Sequence, residues 1–213
     1  MLFRSLPYVM TVFSPLSVAA DLTESDEQFS LFLEESPRAA HHALDVIADT
    51  YAGFVKRCLA KGCWGIFFAT TTWGTRERIS AEQYEEFGRP YDLRVLKAAQ
   101  NAPFNILHVC KGNNLLASMV DYPVSAFNWD ANDPSNLSVA SAKKVIKGKT
   151  ILAGLHNTEE LLEMTAAEVR REALESRKQG GDNRYGLAPG CTVPTRAPPK
   201  LLMAMRVAFE GKL

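Results

Sequence analysis

The sequence predicts an α/β fold on a parallel sheet. Three observations carry that reading: six short apolar runs recur along the chain, longer amphipathic segments separate them, and the turn after the first run lacks the glycines of a dinucleotide-binding loop. The runs are Tyr8–Phe13, Trp64–Thr70, Asn105–Cys110, Ser125–Trp129, Thr150–Leu155 and Tyr185–Pro189. Each is rich in β-branched or aromatic residues and nearly continuous in hydrophobicity, as strands buried on both faces must be. Strands alternating with helices imply right-handed βαβ crossovers. Six such units suit an open doubly wound sheet or part of an eight-stranded TIM barrel. An open sheet that binds dinucleotides usually carries G-x-G-x-x-G after its first strand. Here that turn reads Phe13-Ser-Pro-Leu-Ser17, which favours the barrel.

The helical segments announce themselves by their caps. Ser36-Pro37 pairs an N-cap with proline at the first helical position and opens a helix to about Lys61. Ser80-Ala-Glu-Gln83 is a capping box, predicting one helix to about Gln100. Short helices are expected over Gly112–Val120 and Asn136–Ile146. Thr165-Ala-Ala-Glu168 caps a charged helix to Gln179, stopped by Gly180-Gly181. Pro198-Pro199 starts a last helix towards Phe209. Asp182–Arg184 reads as a polar turn, and nothing reads as a linker, so residues 1–213 are expected to form a single domain.

Composition narrows the function. With 24 basic and 24 acidic residues in 213, there is no electrostatic reason to expect nucleic acid or an anionic membrane as partner. The apolar opening is interrupted at Pro7, no secretory signal is visible, and no stretch approaches the roughly 18–20 apolar residues of a membrane span. A cytoplasmic protein with reduced thiols is therefore expected, in which cysteines bind metal, react or pack.

In a barrel, the C-terminal ends of the strands build the site. His108 and Cys110 lie two apart on the third run, so both side chains face the same way. Cys191 sits where the last run gives way to loop, after Gly190, which lets the backbone turn. An imidazole and two thiols suit zinc with an open position for substrate. The plainer alternatives are a packed cysteine beside a hydrogen-bonded histidine, and a buried thiol at Cys191; the three residues together favour the metal. Asn128 and Asp130 share a face at the fourth strand end. Asp130 is a candidate for orienting a ligand or for acid/base work, and Asn128 for contacting substrate. His156, at the fifth, is a candidate fourth ligand or acid/base group, or a loop histidine. Thr70 and Thr72 offer hydroxyls to a pocket, although threonine also suits strands on propensity grounds. Arg196, after the last strand, is a candidate for an anionic substrate tail or for a surface ion pair. Cys58 and Cys63 are expected to be structural, and His41 and His42 to lie at the surface.

Several segments carry a family resemblance. TVFSPLSVA, SAEQYEEFGRPYDLRVL, LHVCKGN, VSAFNWD and above all LAPGCTVPTRAPPKLL are similar, in the same order along nearly the whole chain, to the uroporphyrinogen decarboxylase superfamily. The resemblance implies a (β/α)8 barrel in which Tyr8–Phe13 is the third strand, so that the chain holds strands 3–8 and is N-terminally truncated relative to the family. A fragment, a misplaced gene start, a second chain closing the barrel or a divergent open form would each account for that.

One branch of the superfamily decarboxylates uroporphyrinogen in porphyrin (heme) biosynthesis without a cofactor. The other contains zinc methyltransferases that pass methyl from a corrinoid, supplied by a partner protein, to a thiol such as coenzyme M. That second branch is marked by His-x-Cys and a distant cysteine, which His108, Cys110 and Cys191 match. The decarboxylases carry a glycine-flanked histidine where this chain has Gly190-Cys191. The resemblance therefore implies Zn2+ on those three residues and attack of a zinc-bound thiolate on the methyl group. The alternatives are a decarboxylase, expected to use no metal and several arginines, with Arg76, Arg78 and Arg196 the few on offer, and a non-catalytic barrel piece that pairs with another subunit or a corrinoid protein.

Overall fold

The computed structural model describes residues 6–157 and 159–210. Its six strands are β1 (Val9–Phe13), β2 (Gly65–Thr70), β3 (Ile106–Val109), β4 (Ala126–Trp129), β5 (Thr150–Leu155) and β6 (Tyr185–Pro189). One lies inside each apolar run of the sequence. They form one sheet in the order β1-β2-β3-β4-β5-β6, every neighbouring pair parallel. A doubly wound sheet reverses its strand order part-way; this one never does. Successive right-handed crossovers in one direction place all the helices on the same face, which is the plan of a TIM barrel. The sheet is a partial barrel, with β1 and β6 its edges among the described residues.

The strand register divides the two faces. Val12, Phe68, Leu107, Phe127 and Ile151 stand in one row across five strands, all fully buried under the helices. Phe13, Ala69, His108, Asn128 and Leu152 form the next row, on the opposite face. The main core thus lies between sheet and helices, where large apolar side chains alternate into it. The inner face is left for the site.

Nine helices are described: α1 (Pro15–Asp21), α2 (Asp26–Glu35), α3 (Pro37–Ala60), α4 (Ala81–Phe87), α5 (Arg89–Ala98), α6 (Val139–Val145), α7 (Glu160–Glu163), α8 (Ala166–Gly180) and α9 (Pro199–Glu210). None is long and apolar enough to cross a membrane. Helices α3, α8 and α9 lie where the sequence predicts; Thr165 caps α8 as expected, whereas the Ser36 side chain makes no cap bond to α3.

Elsewhere local chemistry wins. The segment after β1, expected as a turn, is already helical: Ser14 caps α1 by accepting from Ser17 N, with Pro15 at the first helical position. The single helix expected after Ser80 is two. Chain direction changes at Gly88, and Pro90, lacking an N–H, is tolerated only because it falls in the first turn of α5. Over Gly112–Val120 only a 3-10 turn forms, Leu116–Ser118, because Lys111 and Asn113 adopt left-handed φ of 67° and 47° just before it. The helix expected from Asn136 starts at Val139 under a Ser138 cap. His41, expected at the surface, is partly buried, its Nδ1 2.6 Å from the Tyr91 hydroxyl and its ring stacked on Phe87; His42 is exposed. Cys58 and Cys63 are buried at the end of α3.

The break at Gly88 creates a buried polar cluster. Eight residues of straight helix would part Tyr84 from Asp92 by about 12 Å; instead the Tyr84 hydroxyl donates to Asp92 Oδ2 at 2.6 Å, and Tyr122 donates to the same oxygen at 3.0 Å. Asp92 Oδ1 is buried with no partner. Burial raises the Asp92 carboxyl to about 7, against the opposing pull of the two tyrosines. Its folded pKa therefore lies above its unfolded one. The stability it confers is full below the unfolded value and is lost as pH rises through the folded one. Relative to the parent, Asp92→Asn is expected to gain stability steadily between about pH 4 and pH 7, by on the order of 4 kcal/mol over that window. Urea melts of both proteins across the window check this; parallel curves would show that Asp92 is ionised when folded.

Candidate metal centre

β3 carries His108 on its inner face and hands the chain on to Cys110, whose N–H still pairs with Thr70 O at 3.2 Å. Two strands beyond β4, the end of β6 is held against β5 by Gly190 N donating to Leu155 O at 3.2 Å, and Cys191 follows at once. Cys110 and Cys191 then stand Sγ to Sγ at 3.5 Å, and the ligand atoms of His108, Cys110 and Cys191 all lie within 4.8 Å of one another. Among the described residues this is the one group of three or more such side chains able to share a metal ion.

The spacing suits zinc. A sulfur pair at 3.5 Å is far too long for a disulfide, whose bond is about 2.05 Å. Two thiolates at about 2.3 Å from one tetrahedral zinc would be roughly 3.8 Å apart. The imidazole is also prepared. Asn128 Nδ2 donates to two backbone carbonyls, Leu152 O at 2.7 Å and Pro189 O at 3.0 Å, which fixes its amide so that Oδ1 faces His108 Nδ1 at 2.7 Å. Oδ1 can only accept, so Nδ1 must carry the proton and Nε2 must present its lone pair. Hydrogen bonding at one ring nitrogen in this way orients a ligating imidazole and increases its basicity. Phe67 stacks on the ring at 5.2 Å between centroids.

The two thiols share their protons unequally. The hydrogen bond from Cys110 pulls Cys191 well below the usual thiol range. The same bond and burial push Cys110 up. The pair therefore holds one thiolate at neutral pH.

Two cavities meet at these sulfurs. The inner one, about 460 Å3, is lined by Phe13, Phe67, Leu152 and Pro189 among others, and carries no Asp, Glu, Lys or Arg among the described residues. The outer one, about 810 Å3, is polar and includes Asp130, Asp133, Glu159 and Lys111. Cys110, Cys191 and Thr192 border both.

The structure places the other sequence-chosen residues as follows. Thr70 is buried and lines the inner cavity, and its neighbour Thr71 lines it too. Thr72 lies beyond it in a 3-10 turn, its carbonyl accepting from Thr75. Asn128 faces the cavity, but its amide is committed to His108 and the two carbonyls. Asp130 lines the outer cavity; burial raises its carboxyl, and Oδ1 accepts from Asn132 N at 3.0 Å. His156 stands apart from the sulfurs, turned to α8, where its Nε2 is 3.1 Å from Glu172 Oε2. Arg196 is 72% exposed and ion-paired to Glu159.

Glu172 escaped the sequence reading. It accepts from His156 N at 2.7 Å and Asn132 Nδ2 at 3.0 Å, so one carboxylate ties the loops after β4 and β5 to α8. The available signal was an acidic residue in phase with the buried stripe Val169, Ala173 and Ser176 of α8.

A sequence model of the uroporphyrinogen decarboxylase (URO-D) family matches residues 2–210. No curated protein matches the sequence. Among solved structures the chain is similar to a methyltransferase from Methanosarcina mazei, with 20% identity and a TM-score of 0.83 over 99% of this chain and 60% of that one. It is also similar to a B12-independent methionine synthase from Shewanella sp. W3-18-1, solved with selenomethionine, with 13% identity and a TM-score of 0.61 over 96% of this chain and 61% of that one. The chain thus spans about three-fifths of the length of these structures, and at such identities the likeness is one of fold.

Proposed function

Since the chain belongs to the uroporphyrinogen decarboxylase family, we propose that it works in the manner of that family's methyltransferases, transferring a methyl group from a corrinoid on a partner protein to a thiol at a zinc site. The observation that carries this is the convergence of His108, Cys110 and Cys191 within 4.8 Å, with the imidazole tautomer set by Asn128. Zinc held by these three side chains would bring a coordinated thiol to its thiolate form at neutral pH.

The chain's own residues supply the rest. Cys191, already biased to thiolate, and His108, with Nε2 free to accept, form a donor set that needs little further deprotonation. The inner cavity offers mainly apolar walls to one side of the sulfurs. On the other side Asp130, its carboxyl raised by burial, is suited to accept the proton that the thiol gives up. In this reading His156 stands behind Asp130, and Glu172 holds the imidazole in place.

A decarboxylase acting on a polycarboxylate porphyrinogen calls for converging cations. The arginines at the strand ends are otherwise engaged: Arg76 donates to Asn114 O at 2.7 Å, Arg78 pairs with Asp26 at 2.8 Å and Arg196 with Glu159. Around the sulfurs the described cavities offer Lys111 alone. The chemistry of the donor set favours methyl transfer.

Metal analysis of the protein purified under reducing conditions tests the proposal. About one zinc per chain is expected, with release by a strong chelator. A protein that takes up no stoichiometric zinc after reconstitution would refute it.

A further inference from the structure

Resting on the thiol-binding role just proposed, we infer that the acceptor is an uncharged thiol with an apolar tail, and that the tail lies in the inner cavity. The two chambers flanking the sulfurs differ sharply in chemistry. The inner one is walled by Phe13, Phe67, Ala69, Leu152 and Pro189, and its polar lining is uncharged: four threonines and the Asn128 amide beside His108. Apart from the two sulfurs, no carboxylate, ammonium or guanidinium among the described residues lines it. A sulfonate or carboxylate placed there would lose its hydration without gaining a counter-ion, which is strongly unfavourable.

The reverse orientation serves an anion no better. With Glu159 paired to Arg196, Asp130 and Asp133 still outnumber Lys111 in the outer chamber, so an anionic tail pointing outward meets a net negative wall. Arg196, the cation nearest in sequence to Cys191 and Thr192, is spent on Glu159. Both routes from the sulfurs thus select against an anionic thiol, and the inner one favours apolar surface. Its volume of about 460 Å3 leaves ample room for a small aliphatic or aryl group.

The experiment uses the protein with cobalt(II) at the three ligands, because each added thiolate strengthens a sulfur-to-cobalt charge-transfer band in the near ultraviolet. Titrating with 1-butanethiol and with 2-mercaptoethanesulfonate, and comparing affinities for the thiolate forms, is expected to favour butanethiol by tenfold or more. Sulfonate binding as tight as butanethiol, with the band responding to both, would overturn the inference and leave the thiol site standing. No response to either thiol would bring down the thiol-binding role and the inference with it.

Phe13→Arg provides the second arm. Phe13 lines the inner cavity at the open edge of β1 and is 44% exposed, so a longer charged side chain can be housed there. The variant is expected to raise sulfonate affinity at least tenfold and to leave the cobalt band of the thiol-free protein unchanged. An unchanged sulfonate affinity would show that the tail lies elsewhere.

Discussion

Cys191→Ser is expected to weaken zinc binding by more than about 100-fold, the largest loss for any single substitution at the site. Replacing a ligand must exceed the 10- to 100-fold usual when only a supporting hydrogen bond is lost. Serine keeps the size of the side chain but offers a hydroxyl that remains protonated at neutral pH, where Cys191 is already inclined to thiolate. The cost to folding should be small, within about 1 kcal/mol, because Cys191 is only half-buried and the core on the other face of the sheet is untouched. Asn128→Leu makes the informative contrast. It leaves all three ligands in place but frees His108 Nδ1 and strips Leu152 O and Pro189 O of their donor. Zinc affinity should fall 10- to 100-fold, with about 1–3 kcal/mol lost from stability. Competition against a chromophoric chelator measures both. Affinity within a few-fold of the parent in Cys191→Ser would remove that residue from the donor set.

The contrast also shows what a single sequence can yield. His108 and Cys110 were legible because the two-residue repeat of a strand is local: the spacing itself fixes the shared face. The strands were legible from equally local signals, nearly unbroken apolar runs, although only β3 and β4 are buried at every position while β1 and β6 are partly exposed. The role of Asn128 was only half legible. Its face follows from the repeat, but its three partners lie on β3, β5 and β6, and no local pattern names them. His156 shows the limit more sharply. A histidine at a strand end in a barrel points to the mouth unless something nearer captures it, and the captor, Glu172, sits on the following helix. Such pairings depend on how α8 lies against the sheet. The helix break at Gly88 is a different failure. The capping box at Ser80 correctly marked where a helix begins, but proline two residues after a glycine was a stop signal outweighed by the amphipathic pattern running through it. The buried Asp92 cluster follows from that break and was invisible with it.

Gly190→Ala is expected to disable the centre without touching a ligand. The sequence reading gave Gly190 the task of turning the chain, but its backbone needs no left-handed φ. What it needs is space. A Cβ there would lie 2.4 Å from Asp130 Cα and 2.6 Å from Asn157 Oδ1. The first of these is backbone, so no side-chain rotation relieves it; the ends of β4 and β6 must part. Forcing extra volume into such a contact costs about 1–3 kcal/mol. Cys191 is the next residue and moves with the strand end, while Cys110 stays with β3. A ligand set must hold its geometry to about 0.5 Å to bind well, so zinc affinity should drop at least tenfold alongside the stability loss. Gly186→Ala is the matched control on the same strand. Its nearest neighbour is the tip of the Leu152 side chain at 2.8 Å, which can rotate away. That variant should keep its zinc and most of its stability. If Gly190→Ala binds zinc as tightly as Gly186→Ala does, the close approach of β6 to Asp130 does not position Cys191, and the metal site tolerates far more movement than its 3.5 Å sulfur pair implies.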